Sequence, residues 1–195
     1  MKVRGNMKPE TISALHDFAL KARELLEREV NEQLEGIYGF PPDGKLGPPQ
    51  KYRALKELSE AQETRKRIEQ FLGDEKAVGI SPSEARDRLV KEAAFTWLNR
   101  LVAFNMMEAR GLIRQAVSKG TQSNGFLRWL TEPGNEKDYE KYEQGDLPQN
   151  PLGEGPRQEA YRHFLLWQCT QLTREIKVLF DPEILVSRLL SIGMQ

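Results

Sequence analysis

The stretch SPSEARDRLVKEAAFTWLNRLVAFNMMEARG, residues 81–111, decides the fold. Ser81 is placed to cap a helix, Pro82 fits its first position and Glu84 its third, which is the capping-box arrangement. From there the pattern stays helical to Arg110, where Gly111 ends it. Residues 84–91 are polar. Residues 93–107 are apolar on nearly every side, as expected of a helix enclosed within a bundle, so this segment is expected to run through the core.

Working outward, residues 9–36 place Ile12, Leu15, Phe18, Ala19, Ala22, Leu25, Leu26, Val30 and Leu34 on one stripe of an amphipathic helix. Residues 39–49 hold four prolines and three glycines, so 37–50 reads as a loop. A charge-rich helix over 51–72 follows, with Gly73 as its cap. Beyond Gly111 the chain is less regular, with a short helix expected around 126–130. An excursion over 131–156 is rich in acid, Gly and Pro, with one helical turn near Tyr139 to Tyr142. A long helix over 157–180 and a short one over 182–190, opened by Asp181-Pro182-Glu183, complete the chain. No alternating strand pattern and no fixed-period repeat occurs. The expectation is one all-α domain, an irregular multi-helix bundle over 1–195.

Composition narrows the function classes. Lys+Arg and Asp+Glu are both 29, so global charge argues for neither nucleic acid nor membrane. Cys169 is the single cysteine, which excludes an internal disulfide and fits a reduced, cytoplasmic setting. The longest apolar runs, 101–104 and 164–167, are far too short to span a bilayer. Residues 1–10 are polar, so no signal peptide is expected.

The usual catalytic patterns are missing. No phosphate loop, dinucleotide turn or nucleophile elbow occurs, and His16, His163 and Cys169 lack a zinc-site spacing. Cys169 and His163, six residues apart on one helix, point in different directions, so Cys169 reads as a core thiol. Asn150-Pro151-Leu152-Gly153 begins like the N-P-P-[YF] loop that grips a flipped adenine. It lacks the second proline and the aromatic ring, and reads as a turn. The aromatic residues Phe95, Trp97, Phe104, Trp129, Phe164 and Trp167 read as core rather than as a stacking surface for bases.

Charge is unevenly spread. Residues 95–131 carry Arg100, Arg110, Arg114, Lys119 and Arg128 against Glu108 alone, a net of +4. Residues 132–159 carry eight acids against Lys137, Lys141 and Arg157, a net of −5. With one further helical turn after 111, Arg100, Arg110 and Arg114 would share an arc of about 80° and could meet DNA phosphates. Pairing with the acidic excursion is the plainer alternative. Asn99 and Arg100, inside the apolar run, must be partnered if buried; fixing helix register or anchoring an adjoining domain is the expected role.

FTWLNRLVAF (95–104), continued by MEARGLI (107–113), resembles the signature helix near the start of the large adenine-specific DNA methyltransferases of BREX phage-defence systems. Relatives in DISARM systems and single-chain restriction–modification enzymes carry similar stretches. The helix around Phe18-Ala19 and Ala22-Arg23, and YRHFLLWQC (161–169) with Leu179-Phe180-Asp181, resemble two further segments of that family in the same order. The resemblance implies a parent enzyme that moves a methyl group from S-adenosylmethionine to adenine N6. Its cofactor motif and N-P-P-[YF] loop lie beyond this region, so no catalytic, cofactor or metal residue carries over. The chain is thus expected to be an N-terminal helical scaffold. Its expected partners are the catalytic domain, duplex DNA through phosphates, and other defence proteins. A stand-alone helical adaptor without catalysis is the alternative.

Overall fold

The computed structural model describes residues 8–148, 150, 151, 153–181 and 183–189. Every regular element among them is helical, so the chain is an all-α bundle. Its α-helices are α1 (Pro9–Gly36), α2 (Arg53–Glu57), α3 (Ser59–Ala77), α4 (Pro82–Ala109), α5 (Asn124–Leu130), α6 (Glu136–Gln144), α7 (Pro156–Leu172) and α8 (Lys177–Phe180). None is long and apolar enough to cross a membrane.

α4 is the axis. Ser81 caps it, its Oγ accepting from the Glu84 N–H at 3.3 Å, as the capping pattern requires. At the far end Gly111 turns at φ +67°, and Leu112 N–H returns to the Met107 carbonyl at 2.9 Å. Two cores share the helix. Ala94, Trp97 and Phe104 join Phe126, Trp129, Tyr161, Phe164 and Phe180 in one; Leu89, Val90 and Ala93 join Val30, Leu34, Phe40, Leu55 and Ile68 in the other. Each large side chain so buried contributes roughly 1.5–3 kcal/mol. α1 runs antiparallel to α4: its Val30 and Leu34 share a core with Leu89 and Val90, while Leu15 and Phe18 lie across from Val102 and Met106.

Several expected boundaries move, each for a local reason. The helix expected over 51–72 breaks at Leu58, which is extended (φ −117°, ψ 118°), and α2 and α3 form on either side. Gln62 Nε2 binds the freed Leu55 carbonyl across the break at 3.0 Å. Gly73 does not cap the second helix. α3 continues to Ala77 and closes at Gly79, φ +85°, with Gly79 and Ile80 N–H returning to Lys76 and Glu75 carbonyls. Inside 131–156, where one turn was expected, α6 runs for nine residues. Tyr142 anchors it, edge-on to Phe126 and beneath the Arg157 guanidinium.

The helix expected over 157–180 is two pieces. α7 stops at Leu172, and the Thr173 hydroxyl reaches the Cys169 and Phe180 carbonyls, both at 2.9 Å, holding a break before α8. The break lets Phe180 turn back onto Phe104, centroid to centroid 5.2 Å. Pro182 and Leu190, the first and last residues of the helix expected over 182–190, lie outside the described residues. Between them only a 3-10 turn, Leu185–Arg188, forms.

Candidate functional site

Arg86, Val90, Ala93, Trp97, Arg100 and Phe104 repeat at four and three residues along α4, and all six are buried. Two arginines therefore occupy seam positions of an apolar stripe. Arg100 is fully buried and donates to the carbonyls of Leu179 (2.6 Å) and Asp181 (3.0 Å) and to Ser187 Oγ (2.7 Å), with its guanidinium 4.7 Å from the Trp97 ring. Arg86 holds the Phe40 carbonyl (2.8 Å) and Asn31 Oδ1 (2.6 Å). Burial pulls both guanidinium groups below their ordinary pKa, outweighing the opposing charges of Asp87 and Glu35 on Arg86 and of Cys169 and Asp181 on Arg100. Arg65 on α3 gathers the Tyr38 and Gly47 carbonyls in the same manner. Arg65 and Arg86 bind carbonyls of the non-helical 38–47 segment to a helix, and Arg100 binds the end of α8 and the residue after it to α4, a task suited to a planar, multi-donor group. Arg162 on α7 differs: burial opposes its charge, but Glu60 and Glu154 outweigh it and raise its pKa.

Arg100 therefore leaves the set of residues expected to touch DNA phosphates. Asn99, beside it, is half-buried. The arc expected to unite Arg100, Arg110 and Arg114 does not form either, because α4 ends at Ala109 and the chain reverses at Gly111.

Arg110, Arg114 and Lys119 instead lie exposed on the turn after α4, and form no ion pair among the described residues. Arg128, exposed on α5, sits 3.8 Å from Glu132. The nearby acid, Glu108, is used internally. Its carboxylate accepts the N–H groups of Ala116 (2.7 Å), Val117 (2.5 Å) and Ser118 (3.3 Å), pinning the turn that carries the cations. Tyr161 OH donates to the Ala116 carbonyl at 2.6 Å; burial, then the Glu108 charge, push its pKa upward. Gly125 N–H donates to the Gln115 carbonyl, and a Cβ at Gly125 would sit 2.4 Å from that oxygen, so only glycine fits.

Among the described residues, the acids of 132–159 make no ion pair with this turn, and only Glu132 pairs with a cation of 95–131, Arg128 on α5. Asp138 meets His163 (2.7 Å) and Lys141 (3.7 Å), Glu159 meets Lys141 (2.6 Å), and Asp146 meets Arg157 (3.7 Å). Asn150 Oδ1 accepts the Glu154 N–H at 2.8 Å and its carbonyl the Gly153 N–H, so the described residues of that stretch form a turn.

Beside the cationic turn lies an apolar groove of about 500 Å³. Leu15, Phe18 and Ala22 of α1 form one wall and Leu98, Val102 and Met106 of α4 another; Val117, Tyr161 and Leu165 close the third side. Phe18 is 61% exposed and Met106 50%. The second half of α4 is therefore not enclosed on every side, and the first half of α1 is only partly covered. Phe95, expected in the core, is 62% exposed, and Trp167 stands at the edge of the aromatic cluster.

Cys169 is fully buried, and burial raises its thiol pKa to about 11, against the small opposing effect of Arg100. No group of three or more His, Cys, Asp or Glu that could hold a metal ion occurs among the described residues. Compared with protein-family models, curated proteins and solved structures, the chain finds no match.

Proposed function

We propose that this chain is the helical scaffold of a site-specific DNA N6-adenine methyltransferase of phage defence, gripping the duplex through phosphates while a separate S-adenosylmethionine-binding domain performs the transfer. The methyltransferase part rests on the resemblance of residues 95–113 and its flanking segments. The DNA part rests on one observation: Arg110, Arg114 and Lys119 stand exposed, with no ion pair among the described residues, on a turn that Glu108 holds still. A pinned array of cations meets a phosphate backbone with little ordering cost, and needs no base contact.

Fluorescence anisotropy of a labelled duplex across a salt series tests the DNA part. Binding should weaken linearly with log salt, and each of Arg110→Glu, Arg114→Glu and Lys119→Glu should reduce the slope by about one. Binding that ignores salt, or a slope unchanged in the triple variant, contradicts the reading. The methyltransferase part is tested in the source cells. Deleting the coding sequence should abolish N6-methyladenine at a fixed DNA site, read by single-molecule sequencing; unchanged methylation would sink it.

The groove favours a second reading, a stand-alone helical adaptor, because an apolar surface of this kind serves docking without any catalysis. An antibody against the chain separates the two on a blot of source cells. A band several times heavier than 22.4 kDa supports the scaffold, and one near 22.4 kDa the adaptor.

A further inference from the structure

The groove between α1 and α4 is lined by aliphatic side chains along two long antiparallel helices, with α7 at its far side. Its lining holds two side chains with hydrogen-bonding groups: Tyr161, whose hydroxyl is spent on the Ala116 carbonyl, and Asn105, which is exposed. A shape bounded by parallel helical walls suits another helix, presenting residues at i, i+3, i+4 and i+7.

The charges around it say what kind. On α1, by the 100° helical step, Lys21 lies roughly 100° from the centre of the groove-facing stripe, whereas Asp17 and Glu24 lie roughly 145° and 165° away. Arg110, the residue just past the end of α4, lies four residues after Met106, and Lys119 adjoins the groove-lining Gly120. Lys21, Arg110 and Lys119 form no ion pair among the described residues. The lining contains no acid, and Glu108 is turned inward to the backbone. Cations thus edge an apolar floor at both its α1 wall and its α4 end.

We infer that this groove seats an amphipathic helix of a partner protein whose apolar face is flanked by Glu or Asp. A second copy of this chain is a poor occupant, because seating one α1 against another sets Lys21 of each copy beside the same cationic rim. The inference shares Arg110 and Lys119 with the DNA reading, and Val102, which lines the groove and carries no charge, is the position that separates the two.

Two fluorescent helical peptides of about 18 residues, five turns with leucine on one face, serve as probes, one flanked by Glu and the other by Lys. The intact chain should bind the Glu peptide about tenfold more tightly in 50 mM salt, and the gap should shrink at 1 M salt. Val102 is 43% exposed, so Val102→Glu leaves the cores untouched and should abolish binding, with an unchanged melting curve by circular dichroism. Lys21→Glu combined with Lys119→Glu, at exposed positions, should reverse the preference between the peptides. Equal affinity for the two peptides, no binding of either, or binding indifferent to Val102→Glu overturns the proposal. So does sedimentation showing a dimer that Val102→Glu dissociates, because the groove then belongs to a second copy. Peptide binding without duplex binding would defeat the DNA reading alone.

Discussion

At position 100 a guanidinium lies in the interior with no ion pair among the described residues, held by two carbonyls, a serine hydroxyl and the face of Trp97. Removing it strands those acceptors and leaves a cavity. Arg100→Ala should therefore cost about 3–5 kcal/mol in urea denaturation. Arg100→Lys should recover little of this, because one ammonium cannot reproduce the planar fork. A loss below about 1 kcal/mol would show that the carbonyls find other donors. The seam of α4 made this arginine legible as a partnered residue, but its partners are 79 to 87 residues away and no pattern announces them. Asp138 works the other way, at the surface of the same bundle. Burial raises its pKa, but the hydrogen bond from His163 and the charges of His163 and Lys141 outweigh that and hold the carboxyl below its ordinary value. A folded-state pKa below the unfolded one gives stability that is present above the unfolded pKa, near 4, and lost as pH falls through the lower folded value. Asp138→Asn should therefore lower the midpoint at neutral pH and flatten the acid limb of the stability curve. An acid limb unchanged in the variant would refute the assignment.

Among the elements, α4 was the most legible because its signals are local: a capping serine, proline at the first position and glycine past the end. Ser81→Ala should cost about 1 kcal/mol in thermal or urea unfolding, the usual worth of such a cap. The turn after α4 depends on Glu108, whose two oxygens take three backbone N–H groups. Glu108→Gln keeps the length, loses the charge and can accept through one oxygen only. It should speed hydrogen exchange at Ala116 and Val117 while leaving Trp97 and Phe104 packed; unchanged exchange at those amides would remove Glu108 as the pin. Of the elements that differ from the sequence expectation, α6 and the α7–α8 break are ones where long-range contact overrides local preference. α6 is short and mostly charged, with Tyr139 and Tyr142 as its only aromatic residues, and Tyr142 gains its place only against Phe126 and Arg157. Nothing in Thr173-Arg174-Glu175 forbids helix, yet the chain breaks there because Phe180 finds Phe104.

Across the whole molecule, α4 passes through both hydrophobic cores, so neither core can lose its packing without disturbing the helix that supports the other. Phe126→Ala in one core and Ile68→Ala in the other should each cost about 2–5 kcal/mol and shift the same unfolding midpoint. Two separate transitions, one per core, would show that the cores are independent. Cys169 gives a further check: buried, with its thiol pushed to about 11, it should resist alkylation until that global transition and react fully beyond it. The sequence by itself determined that the chain is helical, where its longest helices start, and that 95–131 is basic, because caps, periodicity and charge are written in neighbouring residues. Which cations face solvent was decided only by the tertiary structure: Arg100 and Arg110 are ten residues apart on one stretch, yet one is sealed inside and the other is exposed. The groove was likewise invisible in the sequence. Its apolar stripes on α1 and α4 look the same as core-facing stripes, and only the packing of the remaining helices leaves one side of them uncovered.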